Sequence, residues 1–162
     1  KLPYKEIRSA IYSRRELLDT VKTPVLVNFD MWAGNVFLSQ KRTSSISAII
    51  DFERSFFGDP LAAFVSALFI YDDVEKETDF IAGYNEVSKR PLILTSGDRE
   101  KMILYEMLLY LRSYCETQRY NFWMRNIQRL SIQSLILYDL RRLKKLSMKN
   151  RRTVSNHKNH IQ

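Results

Sequence analysis

The chain has 162 residues, 45% hydrophobic, 27% charged and 12% aromatic, with four glycines and four prolines, a composition that fits about one globular domain and excludes a disordered, collagenous or coiled-coil chain. No apolar run reaches the roughly 20 residues of a spanning helix, and no secretory signal opens the chain, so a soluble, cytoplasmic protein with no membrane partner is expected. The net charge of +8 is local: residues 141–162 hold eight Lys or Arg and no acid, whereas residues 1–140 hold eighteen basic and eighteen acidic groups.

A neutral body with a basic end that lacks interleaved aromatics does not suit nucleic-acid binding, and none is expected. The basic end reads as a solvated helix terminus running into a frayed tail over residues 147–162. A single cysteine, Cys115, cannot form an internal disulfide, and it is expected to be a buried helix residue in a reducing compartment.

Residues 4–21 place Ile7, Ile11 and Leu18 at helical spacing, with Ala10 and Leu17 beside them, and predict one helix. Beyond Pro24, Val25, Leu26 and Val27 predict a short buried strand. Residues 28–35 have no periodicity and read as a loop. Strands are predicted at 36–38 and 46–50, joined by a polar turn at 39–45. From Gly58 onward the pattern is helical. Asp59 and Pro60 are a helix-start pair, because Asp can accept from an orphan N–H and proline at the first helical position loses no bond. Helices are predicted from there to about residue 72, over about 75–88 with Phe80, Ile81, Tyr84 and Val87 on one face, across 102–114, and over about 122–146. Tyr105, Tyr110, Tyr114, Tyr120, Phe122 and Trp123 are read mostly as core. The acidic run Asp72, Asp73, Glu75, Glu77 and Asp79 is read as a solvated loop.

The segment Val27-Asn28-Phe29-Asp30-Met31-Trp32-Ala33-Gly34-Asn35, followed after the hairpin by Ile50-Asp51-Phe52-Glu53, carries the chemistry. Carboxylates bracketing apolar strands are costly to bury unless they are paired or bind a cation. Hard oxygen donors without a histidine or cysteine cluster suit magnesium, which binds through few protein groups and substrate phosphates. Asp and Asn five positions apart, then a strand-end Asp-Phe, follow the arrangement of a kinase catalytic loop and its metal-binding aspartate. Phosphoryl transfer needs one carboxylate to orient the acceptor hydroxyl and separate oxygens to hold the metal. Asp30 fits the first role, Asn35 and Asp51 the second.

With Gly58-Asp59-Pro60 after the hairpin, the chain resembles the aminoglycoside phosphotransferase and choline kinase-like enzymes over roughly residues 25–64. Asn28 and Phe29 stand where that family's motif has His-Gly, and Ala63 where many relatives carry an aspartate. The resemblance implies an α+β, mainly α fold, the C-terminal lobe of a protein-kinase-like fold, with a small catalytic β-hairpin and a helical bundle. It implies Asp30 as catalytic base, Asn35 and Asp51 as magnesium ligands, and Asp59 as organiser of the loop and helix start. It also implies transfer of the γ-phosphoryl of ATP, or GTP, to a hydroxyl of a small molecule, aminoglycoside-type antibiotics among the acceptors.

No glycine-rich phosphate loop and no strand lysine are found in the sequence. Residues 1–146 are therefore expected to be the catalytic and substrate lobe of a longer protein whose N-terminal nucleotide lobe lies elsewhere, the fragment alone being inactive. The alternatives are an inactive pseudokinase or binding module and, further off, a helical interaction domain with a basic tail. Glu53 is open to two roles, facing the acceptor or pairing with Arg54, and Trp32 likewise to substrate contact or packing.

Overall fold

A computed structural model describes residues 1–39, 45–66, 74–88 and 91–159, the last ten of these by backbone alone. Most of it is helical, with two small antiparallel sheets. The chain forms two compact units: Val21–Thr95, and Lys1–Thr20 together with Ser96–Gln162. The second unit is built from both ends of the chain.

The first unit contains β1 (Val25–Val27), β2 (Val36–Leu38), β3 (Ile46–Ile49), β4 (Phe56–Gly58), α3 (Leu61–Ser66) and α4 (Thr78–Val87). The hairpin pairs Val36 with Ile49 and Phe37 with Ala48, then shifts register so that Leu38 faces Ile46. β4 is not anticipated from the sequence. Its three residues are too few to establish a period, yet they pair antiparallel with β1, Val25 opposite Gly58 and Val27 opposite Phe56. Gly58 is required here because the Phe56 ring lies over it, 2.6 Å from where a Cβ would stand.

Phe29 follows β1, is fully buried, and meets Phe56 edge-to-face at 5.3 Å between centroids. That pair locks the start of the loop against β4 and gives the phenylalanine a structural reason. On α3, Phe64 makes edge contacts with Phe80 and Tyr84 of α4, at 5.9 and 5.0 Å. Val87, expected on the buried face of α4, is exposed. The continuation of α3 toward residue 72, the turn at 40–44, and Asp72 and Asp73 lie outside the described residues.

The second unit holds α1 (Tyr4–Tyr12), α2 (Arg15–Leu18), α5 (Ser96–Glu116) and α6 (Phe122–Asn159). Leu2, Ile7 and Ala10 meet Ile103, Leu104 and Met107 of α5 and Ile132, Ile136, Leu140 and Leu143 of α6 in one core. The single helix expected over residues 4–21 is broken at Ser13 and Arg14, and Ile11 is exposed. Arg14 leaves helical geometry, and its guanidinium donates to Glu100 Oε2 at 2.6 Å, the Leu143 carbonyl at 3.1 Å and Ser147 Oγ at 2.7 Å. These charge-assisted bonds offset the helical backbone bonds that the break forgoes.

The backbone of α6 is helical as far as Asn159. Cys115, expected to be buried, is exposed. Tyr105, Tyr110 and Tyr114 are partly buried, but Tyr120, Phe122 and Trp123 face solvent, because the chain turns at Thr117–Arg119 and the helical period does not carry across. Among the described residues no helix is long and apolar enough to cross a membrane.

Candidate active site

The loop after β1 is held by its own side chains. Asn28 Oδ1 accepts from the Asp30 N–H at 3.0 Å, a local turn that fixes the backbone ahead of Asp30. The Asn28 carbonyl in turn accepts from Ser66 Oγ of α3 at 3.3 Å. Asn28 thus supports the loop at the position where the resembling enzymes carry histidine. Beyond Asp30 the chain closes into a short 3-10 turn, Ala33–Asn35, with the Trp32 N–H on the Asp30 carbonyl and the Asn35 N–H on the Trp32 carbonyl.

Trp32 is half-exposed, and its indole lies across Gly34, with Cη2 only 2.3 Å from where a Cβ would be. Gly34 therefore serves the close approach of the ring. Of the two roles open to Trp32, packing is the one this geometry supplies.

Asn35 and Asp30 are brought together directly: Asn35 Nδ2 donates to the Asp30 carbonyl at 2.9 Å. That bond fixes the amide so that Oδ1, the oxygen able to ligate a cation, accepts no hydrogen bond among the described residues. Asp51 is joined to Asn35 through the backbone, since the Ile50 N–H donates to the Asn35 carbonyl at 3.0 Å, extending the β2–β3 pairing by one step. The two candidate ligands therefore sit at the same end of the hairpin.

Asp51 is the only described non-glycine residue with positive φ, at 61°. Aspartate is among the few residues besides glycine that occupy this left-handed region, where most L residues pay about 1–2 kcal/mol. The exposed Asp51 therefore departs from extended backbone two residues beyond the end of β3. Among the described residues no three His, Cys, Asp or Glu side chains form a metal cage. An amide oxygen and a carboxylate are a fitting donor set for magnesium, which keeps water and phosphate oxygens as its remaining ligands.

Sequence reasoning missed an ion-pair partner of Asp30. Arg54 NH1 lies 3.3 Å from Asp30 Oδ1, with both side chains largely buried. Glu53 is exposed, and the Arg54 guanidinium that could have paired with it is directed to Asp30. A cation at the third position after the metal-type aspartate is visible in the sequence, but no local spacing rule connects it to a loop 24 residues earlier. Asp59 is a helix cap: its Oδ1 accepts from the Leu61 N–H at 3.0 Å and its carbonyl from the Ala62 N–H at 3.0 Å.

Asp30 and Asn35 are thus joined by a direct hydrogen bond, and Asp51 follows the residue that pairs with the Asn35 carbonyl. Residues 4–97 match the phosphotransferase enzyme family, and the chain belongs to that family. Among solved structures it is similar to the crystal structure of a thermostable mutant of the aminoglycoside phosphotransferase APH(4)-Ia in its apo form. The TM-score is 0.51 at 16% sequence identity, over 83% of this chain and 44% of that one. This likeness concerns the fold, and the chain spans less than half the length of that protein. No curated protein matches the chain.

Proposed function

We propose that the chain provides the catalytic and acceptor-binding portion of a phosphotransferase that moves the γ-phosphoryl of ATP or GTP to a hydroxyl of a small molecule. The observation that carries this reading is the bond from Asn35 Nδ2 to the Asp30 carbonyl, which ties a candidate base to a candidate metal ligand with its oxygen left for the cation. Asp30 would accept a hydrogen bond from the acceptor hydroxyl, orient its lone pair toward phosphorus and take up its proton as the new bond forms. Arg54 would orient the Asp30 carboxylate toward the acceptor and offset its charge. Magnesium held by Asn35 and Asp51 would neutralise charge on the donor phosphates.

The glycine-rich loop and strand lysine that clamp nucleotide phosphates are not in the 162 residues. On this reading the chain is the C-terminal lobe and a separate nucleotide lobe completes the enzyme. Acceptors of the aminoglycoside type are one class to try. With the nucleotide lobe supplied, γ-labelled ATP or GTP offered to a panel of hydroxyl acceptors that includes aminoglycosides should label one acceptor class in a magnesium-dependent way, and Asp30→Ala should reduce that labelling by at least about 100-fold. Labelling that survives Asp30→Ala would overturn the assignment.

A further inference from the structure

The core between α5 and α6 holds a polar cluster that phosphoryl transfer does not use. Asp139 of α6 is 1% exposed and lies on the apolar face formed by Ile132, Ile136, Leu140 and Leu143. Its Oδ1 accepts from Arg142 NH1 at 2.9 Å, and the same NH1 also binds Glu106 Oε2 of α5. Asp139 Oδ2 is buried with no hydrogen-bond partner among the described residues. Two carboxyl groups therefore share one guanidinium nitrogen, and one carboxyl oxygen is left over. If both acids are ionised, the cluster carries an uncompensated buried negative charge and an orphan acceptor, both costly. One proton on Asp139 relieves both costs, because a protonated Asp139 can donate to the neighbouring Glu106 carboxylate and the remaining charges cancel.

We propose that the Glu106–Asp139 pair holds one proton in the folded chain, making the packing of α5 on α6 a proton-dependent joint. The groups facing Asp139 are few. α5 presents Glu106 and Tyr110, and α6 presents Arg142. α1, packed against the same helix pair, contributes the apolar Leu2, Ile7 and Ala10 side of the core, and none of its charged groups acts on Asp139.

Burial, and then the Glu106 charge, raise the Asp139 carboxyl to about 7. An unfolded aspartate titrates near 3.9. Between these pH values the folded chain keeps a proton that the unfolded chain has lost. Stability is therefore greatest at the acid end of that window and falls as pH rises toward neutrality, flattening above it. Burial, and then the two acids, push the Tyr110 hydroxyl up to about 12, so it stays neutral throughout. The inference does not depend on the chain's catalytic role.

Urea unfolding of the full chain from about pH 5 to about pH 9 tests it. In the wild type the unfolding constant should rise up to about tenfold per pH unit more steeply below neutrality than in Asp139→Asn, which carries no titrating group there. If that variant does not fold, Glu106→Gln serves, because losing the neighbouring charge should likewise flatten the slope. Infrared spectra of the wild type add a readout that needs no variant, a carboxylic-acid C=O band present in mildly acid buffer and lost above neutrality. Wild-type slopes in a folded variant, or the absence of that band, would overturn the proposal.

Discussion

Arg54 is the side chain whose substitution says most about how Asp30 works. A guanidinium 3.3 Å from one carboxylate oxygen both orients the carboxylate and compensates its partial burial. A charge-assisted bond of this kind is worth about 1.5–3 kcal/mol. If it acts chiefly in the transition state, Arg54→Ala should lower kcat by about 10–100-fold with little change in KM for the acceptor. Arg54→Lys should recover part of the loss, since it restores the charge but not the planar fork. A loss confined to KM, or no recovery by lysine, would contradict this role. The roles of Asp30, Asn35 and Asp51 are suggested by sequence spacing because a catalytic loop and its metal aspartate are local in the chain. The Arg54 contact is not legible in that way, because it depends on how the hairpin returns to the loop.

At the scale of elements, what positions the site is the attachment of the loop to β1 and β4. Phe29 and Phe56 form that attachment. Phe29→Ala should destabilise the folded chain by about 3–5 kcal/mol, the usual cost of truncating a fully buried phenylalanine, as measured by urea unfolding. A cost below about 1 kcal/mol would mean that the ring is not the anchor.

Several elements were legible because their periods are long or their punctuation strong, α5 and the strands at Val25–Val27 and Val36–Leu38 among them. The break in the first helix was not, since Ser13 and Arg14 are compatible with helix and only the distant Glu100 and Ser147 make the break favourable. Asp139 left a readable signal, an acid on an apolar face at helical spacing from Ile132, Ile136 and Leu143. Its partners Glu106 and Arg142 give that signal meaning only after α5 and α6 are seen packed together.

At the scale of the molecule, two units divide the work. Val21–Thr95 carries every candidate residue for phosphoryl transfer, while the helices of the other unit build a separate core around α5 and α6. The match to the phosphotransferase family, over residues 4–97, takes in that whole first unit. The excess of Lys and Arg is confined to residues 141–162, so the rest of the chain has no net positive charge with which to hold a polyanion.

The most direct measurement of the central claim is the binding of Mn2+, as a paramagnetic stand-in for magnesium, together with a non-hydrolysable ATP analogue, to the enzyme completed by its nucleotide lobe, as wild type and as Asp51→Ala and Asn35→Ala. Losing one of two protein ligands should weaken binding of the metal–nucleotide probe at least about tenfold in each variant while both remain folded. Equal binding by the wild type and both variants would contradict a shared cation site at the hairpin mouth.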